Sequence, residues 1–302
     1  MFIIRNRKIF LGISAVFVLA SITMLVVFGL KPGIEFKGGA LAEVVYPDAR
    51  PEQSKITEGI EKSSIKSALV QPAGENGFII KTHSLTESER KELMSILSLN
   101  GTVKVEEKNF TTIGPSVGKE LARKSIVSIV LVILVIVSFI AYAFRKVSEP
   151  VSSWKYGVIA MVALVHDVVI SAGVFALVSH VFGAEMDTLF VVALLTVLGL
   201  SISDTIVVFD RIRENLAFNN NNKIIEKFEN TVGKSISQTF TRSINTSLTV
   251  ILVLLALLIF GPETTRYFAL ILTVGMFFGT YSSIFLASPL LVAIEQKSDK
   301  NK

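Results

Sequence analysis

Residues 188–209 read TLFVVALLTVLGLSISDTIVVF and contain a single charged side chain, Asp204. This length matches the roughly 20 residues that a helix needs to cross about 30 Å of hydrocarbon, at about 1.5 Å per residue. An ionised side chain is costly inside a bilayer, so a lone acid in such a run needs a partner or a water path. The stretch therefore predicts a membrane-spanning helix that carries an acid with a role in function.

The composition of the whole chain is typical of an integral membrane protein. Of its 302 residues, 51% are hydrophobic, and the mean hydropathy of +0.60 exceeds that of ordinary soluble domains. Lys and Arg stand at the ends of apolar blocks, so the net charge of +5 indicates orientation in a membrane rather than nucleic-acid binding. The first apolar block is longer than the apolar core of a signal peptide, so it is predicted to be an uncleaved membrane-spanning helix. The chain has no cysteine and therefore no thiolate site. The six predicted spans are residues 9–30, 126–144, 156–178, 188–209, 242–260 and 267–294.

The stretch between the first two predicted spans is polar and nearly balanced in charge. It alternates like a strand in places, and Thr86 with Glu89 has the spacing of a capping box at the start of a helix. The predicted order of elements is β-α-β-β-α-β, the plan of a ferredoxin-like domain. The sequence thus predicts a six-helix transmembrane bundle with one α+β ferredoxin-like periplasmic domain between helices 1 and 2. The predicted regions are 1–30 (cytoplasmic N-terminus and first span), 31–120 (periplasmic domain), 121–294 (spans 2 to 6) and 295–302 (cytoplasmic tail).

Basic residues in the short connections set the predicted orientation. They gather between the second and third spans, between the fourth and fifth spans, and in the C-terminal tail, whereas the opposite connections carry Arg266 alone. Because cytoplasmic loops are enriched in Lys and Arg, both termini are expected in the cytoplasm.

Asp204 and Arg242 are the charged residues inside the apolar blocks that share a predicted depth. Asp204 is about 17 residues and Arg242 about 19 residues from the outer ends of their helices, which places both about 26–28 Å from the outer surface. An Asp204–Arg242 ion pair therefore fits the geometry, with Thr246 one turn further in. The alternative is that Arg242 snorkels to the interface and Asp204 caps or holds helices.

Other polar and small residues in the apolar blocks supply further candidates. His166 and Asp167 lie near the middle of the third span, and they form either a protonatable relay or a helix–helix hydrogen bond. Gly275 and Gly279 form a GxxxG pattern in the sixth span, and small residues permit close helix packing. Gly199 is a third candidate for helix packing. Further serines and threonines follow in the fifth and sixth spans, at 243, 246, 247, 249, 282 and 283.

Five segments resemble the SecF family, which belongs to the bacterial Sec protein-export machinery. The resemblance runs in the expected order from about residue 33 to residue 289. Ser203 departs from the pattern, since the family usually has Asn before the acid of the fourth helix. The matching segments are 33–39 (GIEFKGG), 113–118 (IGPSVG), 199–215 (GLSISDTIVVFDRIREN), 242–249 (RSINTSLT) and 279–285 (GTYSSIF).

The resemblance implies a function and a set of partners. Proteins of this family form half of a transporter of the resistance-nodulation-division type and pair with SecD, which supplies the other six helices. The pair assists the SecYEG channel in the inner membrane and uses the proton-motive force to pull exported polypeptide, with YajC and YidC as further candidate partners. The family's acid and arginine for proton passage fall on Asp204 and Arg242, with Thr246 as a neighbour. The resemblance implies no enzymatic activity, no cofactor, no metal and no nucleic-acid partner.

Three other functions are weighed against this one. An independent proton-coupled exporter of small molecules would have to homodimerise, because six helices are half of the usual transporter. An intramembrane aspartyl protease could use Asp167 and Asp204, but the Gly-x-Gly-Asp and His-Glu-x-x-His motifs are absent. A structural subunit that stabilises SecD without carrying protons stays open.

Overall fold

The structure is a computed structural model that describes residues 2–66, 68–143 and 152–299. Within that part of the chain, six helical stretches are long and apolar enough to cross a membrane, as the sequence predicts. They are Arg7–Phe28, Pro115–Ala143, Trp154–Phe182, Thr188–Asn221, Phe228–Phe260 and Thr264–Gln296. In chain order the elements are α1 (Phe2–Arg5), α2 (Arg7–Phe28), α3 (Ile34–Lys37), β1 (Gly39–Val45), α4 (Gln53–Glu61), β2 (Ala68–Ala73), β3 (Gly77–Thr82), α5 (Glu87–Leu97), β4 (Glu106–Ile113), α6 (Pro115–Ala143), α7 (Ser153–Phe182), α8 (Thr188–Asn221), α9 (Phe228–Phe260), α10 (Glu263–Tyr281), a π-helical segment (Ser282–Ala287) and α11 (Ser288–Asp299).

The helices differ from the predicted spans in two respects. Helices α8 and α9 have 34 and 33 residues and continue well past the apolar runs at 188–209 and 242–260. At about 1.5 Å per residue each is about 50 Å long, more than the hydrocarbon core requires, because no Pro interrupts the polar part of either helix. The sixth span is interrupted by the six-residue π-helical segment, which the apolar pattern does not reveal.

The chain divides into two compact units. The helix unit contains α1, α2, α7 to α11 and most of α6. Glycines bring its helices together: Gly173 of α7 lies against the backbone of Ser21 in α2, and Gly275 of α10 lies against Val197 of α8. A side chain at either glycine would overlap its neighbour, so these crossings depend on the absence of a Cβ atom.

The second unit contains the described residues between 32 and 127 and the segment 185–188. Its four strands form one antiparallel sheet in the order β2-β3-β1-β4. Helices α4 and α5 contribute Ile56, Ile60, Leu93 and Leu97 to a core that also contains Tyr46 and Phe78. The Tyr46 hydroxyl donates to the Leu97 carbonyl at 3.0 Å, and burial raises the pKa of Tyr46 to about 12.

The elements of this unit follow the predicted order, with shifts at two strands. The sequence pattern predicts the second strand at residues 65–71 and the fourth at residues 102–110. In the structure, β2 begins at Ala68 and β4 begins at Glu106. Before β4, Leu99, Asn100 and Gly101 adopt positive φ values of 48°, 58° and 86°, so the chain turns for longer than the sequence pattern indicates.

We expect that Gly173→Ala destabilises the helix unit. The added Cβ would lie 2.5 Å from Ser21 Cβ and 2.7 Å from Ser21 Cα, and overpacking of this kind costs about 1–3 kcal/mol. The measurement is the thermal unfolding midpoint of the purified protein in detergent. Gly12→Ala in α2 is the matched control, because a Cβ at Gly12 meets nothing within 4 Å. Equal midpoints for the two variants would contradict the close α2–α7 contact.

Thr86→Ala is expected to loosen the first turn of α5. The Thr86 hydroxyl accepts from the Glu89 backbone N–H at 3.4 Å, and Glu89 Oε2 accepts from the Thr86 N–H at 2.8 Å, so the capping box is present. Loss of an N-cap hydroxyl costs about 1 kcal/mol, equivalent to roughly fivefold faster amide exchange where α5 opens locally. Hydrogen–deuterium exchange at neutral pH measures this, with exposed Lys91→Gln as the control; similar exchange in both variants would show that the cap contributes little.

The same cap predicts a pH dependence. Hydrogen bonds from the Thr86 backbone and side chain hold the pKa of Glu89 below its usual value. The carboxylate therefore stabilises α5 above its unfolded-state pKa, and this contribution is lost as pH falls through the lower folded-state pKa. Relative to Glu89→Gln, the wild type should thus lose its extra protection in acid. A difference that persists unchanged in acid would contradict the role of the Glu89 charge.

Candidate functional site

Asp204 lies on α8 inside the helix unit, where its side chain is 7% exposed. Its Oδ2 atom accepts hydrogen bonds from the Ser247 hydroxyl of α9 at 3.1 Å and from the Thr280 hydroxyl of α10 at 3.2 Å. The two hydroxyls also meet each other at 2.5 Å. Three helices thus converge on one carboxyl group, which satisfies the requirement that a buried acid has hydrogen-bond partners.

Arg242 and Thr246, the other two predicted members of the proton path, lie on exposed positions of α9. Arg242 is near enough for electrostatic attraction to Asp204, but within the described chain the two charged groups form no salt bridge within 4.0 Å. Ser247, rather than Thr246, contacts the acid. Successive helical residues point about 100° apart, so Thr246 lies on a different face of α9 from Ser247.

Asp167 is the second buried acid and has an exposed fraction of 0%. Its Oδ2 atom accepts from the Ser201 hydroxyl of α8 at 2.5 Å and from the Ser282 hydroxyl of the π-helical segment at 2.8 Å. Its Oδ1 atom lies 2.8 Å from Nδ1 of His166 on the same helix, α7. The predicted His166–Asp167 pair is therefore in contact, and it is connected to two further helical segments.

The His166 imidazole has one satisfied and one unsatisfied nitrogen. The residue is 4% exposed, and Nε2 is buried without a hydrogen-bond partner within the described chain. Its ring is stacked on Tyr281 at a centroid distance of 6.4 Å and meets Phe278 edge to face. Burying an unpaired polar atom costs about 1–3 kcal/mol, so this nitrogen destabilises its surroundings. His166, Asp167, Asp204 and the hydroxyls bonded to the two acids are together called the polar layer.

Residues 280–283 connect these groups in space. Thr280 contacts Asp204, Ser282 contacts Asp167, and the Ser283 hydroxyl lies 2.8 Å from the Thr205 hydroxyl on α8. The sequence singles out both acids but not their partners Ser201 and Thr280, nor Thr205, which contacts Ser283. Ser247, Ser282 and Ser283 stand out in the sequence only as small residues suited to packing. Their spacing of three to four residues from glycines and other hydroxyls is the signal that marks a common helix face.

The three glycines predicted to mediate helix packing divide into two kinds. Gly275 and Gly279 lie against α8, where an added Cβ would be 2.1 Å from Val197 and 2.9 Å from Ser201. Gly199 is exposed, and a Cβ there would meet nothing within 4 Å. Within the described residues Gly199 therefore lies against no other helix, and its packing role stays a prediction.

The polar layer lacks the side chains of a metal site. Among the described residues, no cluster of three or more His, Cys, Asp or Glu side chains stands close enough to hold an ion. The two acids are instead hydrogen-bonded to hydroxyl groups and, for Asp167, to an imidazole. Hydroxyls and imidazole are groups that accept or pass on protons.

Comparisons with known proteins identify the family. A family model described as "Protein export membrane protein SecD/SecF, C-terminal" matches residues 94–297. The SecF protein translocase subunit of Thermobaculum terrenum is 41% identical over 98% of this chain and 94% of its own length. The corresponding subunit of Anaerolinea thermophila is 36% identical over 99% of this chain and 96% of its own length.

Two solved structures of SecDF resemble the fold. The crystal structure of SecDF from Thermus thermophilus, a translocon-associated membrane protein, matches with a TM-score of 0.80 and 30% identity over 97% of this chain. SecDF in the form called super-membrane-facing matches with a TM-score of 0.67 and 31% identity over 100% of this chain. The present chain spans only 38% and 39% of those longer chains. From the family model and the near full-length relatives, we conclude that this multi-pass membrane protein belongs to the SecF proteins of the SecD/SecF family.

Proposed function

We propose that this chain is the SecF-type subunit of a SecDF-like complex that assists Sec-dependent protein translocation in the bacterial inner membrane with energy from the proton-motive force. The observation that carries the proposal is Asp204, an acid buried in the membrane layer and held by hydroxyls from two other helices. Such an acid is an established kind of proton-carrying site in membrane transport. The proposed proton path of this chain comprises Asp204, Arg242 and Thr246, as the family resemblance implies.

A partner is required by the polar face that α8 and α9 expose. Ser203, Arg242, Asn245 and Thr246 lie on exposed positions of membrane-spanning helices, where lipid offers no hydrogen bonds. A second set of helices with a complementary acid would satisfy them, and the remaining length of the solved SecDF chains is consistent with SecD as the source. SecD is therefore the proposed heterodimer partner, and SecYEG, YajC and YidC are proposed as further members of the assembly. The subunit acts without enzymatic activity or cofactor.

The second unit is proposed to be a ferredoxin-like periplasmic domain that contacts exported polypeptide. Its β-α-β-β-α-β order and its sheet order β2-β3-β1-β4 support the ferredoxin-like assignment. The scarcity of Lys and Arg in the connections on its side of the membrane supports a periplasmic location, with both termini in the cytoplasm.

Protonation of Asp204 is the proposed step that couples the gradient to movement. Protonation removes the carboxylate's charge, its attraction to Arg242 and its demand for the Ser247 and Thr280 hydroxyls. A charge that crosses the membrane supplies about 2.3 kcal/mol per 100 mV, so a few protons suffice to shift helices that hold a periplasmic domain.

Two alternatives remain as competing proposals. A structural subunit that carries no protons would use the same hydrogen bonds merely to hold α8, α9 and α10 together. A proton-coupled exporter of small molecules would need a second copy of the chain against the exposed polar face. The aspartyl-protease alternative gains no support from the geometry, because Asp167 and Asp204 bind separate sets of hydroxyls.

Asp204→Asn is expected to reduce gradient-dependent export to the level of cells that lack the protein, because Asn keeps the shape of Asp but has no titratable proton. The measurement is export of a secretory protein in cells whose single copy carries the substitution, with membrane level and SecD association verified. Asp210→Asn is the matched control, since Asp210 is a half-exposed acid paired with Arg213 at 3.3 Å. Normal export in Asp204→Asn at an equal protein level would favour the structural subunit.

Ser203→Cys should form a disulfide with a cysteine placed on a membrane helix of SecD, because Ser203 lies on the exposed polar face. The chain contains no cysteine of its own, so the background is free of competing thiols. Leu134→Cys on α6 is the control, because that position is 58% exposed on an apolar surface. Crosslinking of Ser203→Cys to a second copy of this chain, in place of SecD, would support the homodimeric exporter.

A further inference from the structure

The two buried acids come from different helices, but both are hydrogen-bonded by residues 280–282, which are called the connector. Asp167 belongs to α7 and Asp204 to α8. Thr280 donates to Asp204 at 3.2 Å, and Ser282, two residues later, donates to Asp167 at 2.8 Å. A change in the position of residues 280–282 therefore alters the hydrogen bonds of both carboxyl groups.

The Thr280 hydroxyl has more acceptors than protons. It lies 3.2 Å from Asp204, 2.5 Å from the Ser247 hydroxyl and 3.0 Å from the Met276 carbonyl. A hydroxyl donates one proton, so the ionised Asp204 competes with the Met276 carbonyl for it. When Asp204 is protonated, its own O–H becomes a donor, and Thr280 is free to donate to Met276 instead.

The connector lies where the helix is irregular. The π-helical segment begins at Ser282, directly after Thr280 and Tyr281. π-helical turns are rare and occur mainly at functional sites, since the extra residue weakens the regular ladder of hydrogen bonds. If the extra residue moves by one position, the side chain that it passes turns by about 100°. Ser282 is the first side chain that such a movement would displace.

The far end of this route is the His166–Asp167 pair. Asp167 has an exposed fraction of 0% and depends on Ser201, Ser282 and His166 for its hydrogen bonds. Within the described chain, Nε2 of His166 is buried and has no partner. Of the side chains that the structure places against the imidazole, Asp167 and Tyr281 are the titratable ones. The ring is thus sensitive to any change in its single strong hydrogen bond.

We propose that residues 280–283 transmit the protonation state of Asp204 to the His166–Asp167 pair, so that Asp167 is a positioning residue for the proton step. This inference rests on the proposed role of Asp204 as the proton-carrying site. Ser201 supports the route from the other side, because it donates to Asp167 and lies one helical turn before Asp204 on α8. Gly279 keeps the route short by allowing α10 to lie against Ser201.

The test uses the imidazole of His166 as a reporter. The chain has three histidines, so ¹⁵N-histidine NMR of the full chain, purified with its SecD partner in lipid nanodiscs, gives few signals, and the His166 signal is the one lost in His166→Gln. Asp204→Asn mimics the protonated acid and is expected to shift the His166 ring signals. The shift is expected to be lost when Ser282→Ala is added.

Two controls separate transmission from general disturbance. Asp210→Asn removes an acid at the end of the span, away from the polar layer, and should leave the His166 signals in place. Thr273→Ala removes a hydroxyl of α10 whose hydrogen bond goes to the Ala269 carbonyl, and it should leave the shift caused by Asp204→Asn intact. Persistence of that shift in the Ser282→Ala background would overturn the assigned route.

The spectra are recorded at neutral and at alkaline pH. If Asp204 of the wild type were protonated at neutral pH, the wild type and Asp204→Asn would differ only at alkaline pH. Identical His166 signals in wild type and Asp204→Asn at both values would overturn the proposal. The result is independent of export: a His166 shift with normal export by Asp204→Asn would retain the transmission and remove the proton-driven function. Unchanged His166 signals together with impaired export by Asp204→Asn would remove the transmission and retain the proton-driven function.

Discussion

The constraint on which the helix unit depends is the absence of water from the hydrocarbon layer. Every polar group there needs a partner from the protein, because an unsatisfied group costs several kcal/mol in lipid. Asp204 takes hydroxyls from α9 and α10, and Asp167 takes hydroxyls from α8 and the π-helical segment. At the ends of α7 and α11, Lys155 and Glu295 form a largely buried ion pair at 2.8 Å. These contacts determine which helices are neighbours and at what rotation.

Close packing and polar contact reinforce each other at α8 and α10. Hydroxyl groups are short, so a Thr or Ser reaches an acid on another helix only if the backbones approach closely. Gly275 and Gly279 allow that approach along one face of α10, and Thr280, Ser282 and Ser283 follow directly. The glycines therefore serve the polar layer as well as the stability of the bundle. Polar groups that remain exposed on α8 and α9 form the face proposed to bind SecD.

The sequence predicts the acids of the site, but it does not predict the hydroxyl groups that bind them. The cost of a charge in an apolar run singles out Asp204, and the same argument identifies His166–Asp167. Their hydroxyl partners could not be predicted, because Ser and Thr are common in membrane helices and satisfy their own hydroxyls on the preceding turn, as Thr273 does. The contact of Ser247, rather than Thr246, with Asp204 could not be predicted either, since depth along a helix follows from counting residues but rotation about its axis does not.

The sequence by itself determined the six membrane-spanning segments, the order of elements in the second unit and the position of the acids. Hydrophobic length and period, turn residues and a capping box are local properties, and a span must be apolar whatever its neighbours are. The tertiary structure alone decided which hydroxyls bind each acid, where the sixth span becomes π-helical and which face stays exposed. Those features depend on the rotation and closest approach of helices far apart in the chain, and small side chains permit many such arrangements until the whole bundle is packed.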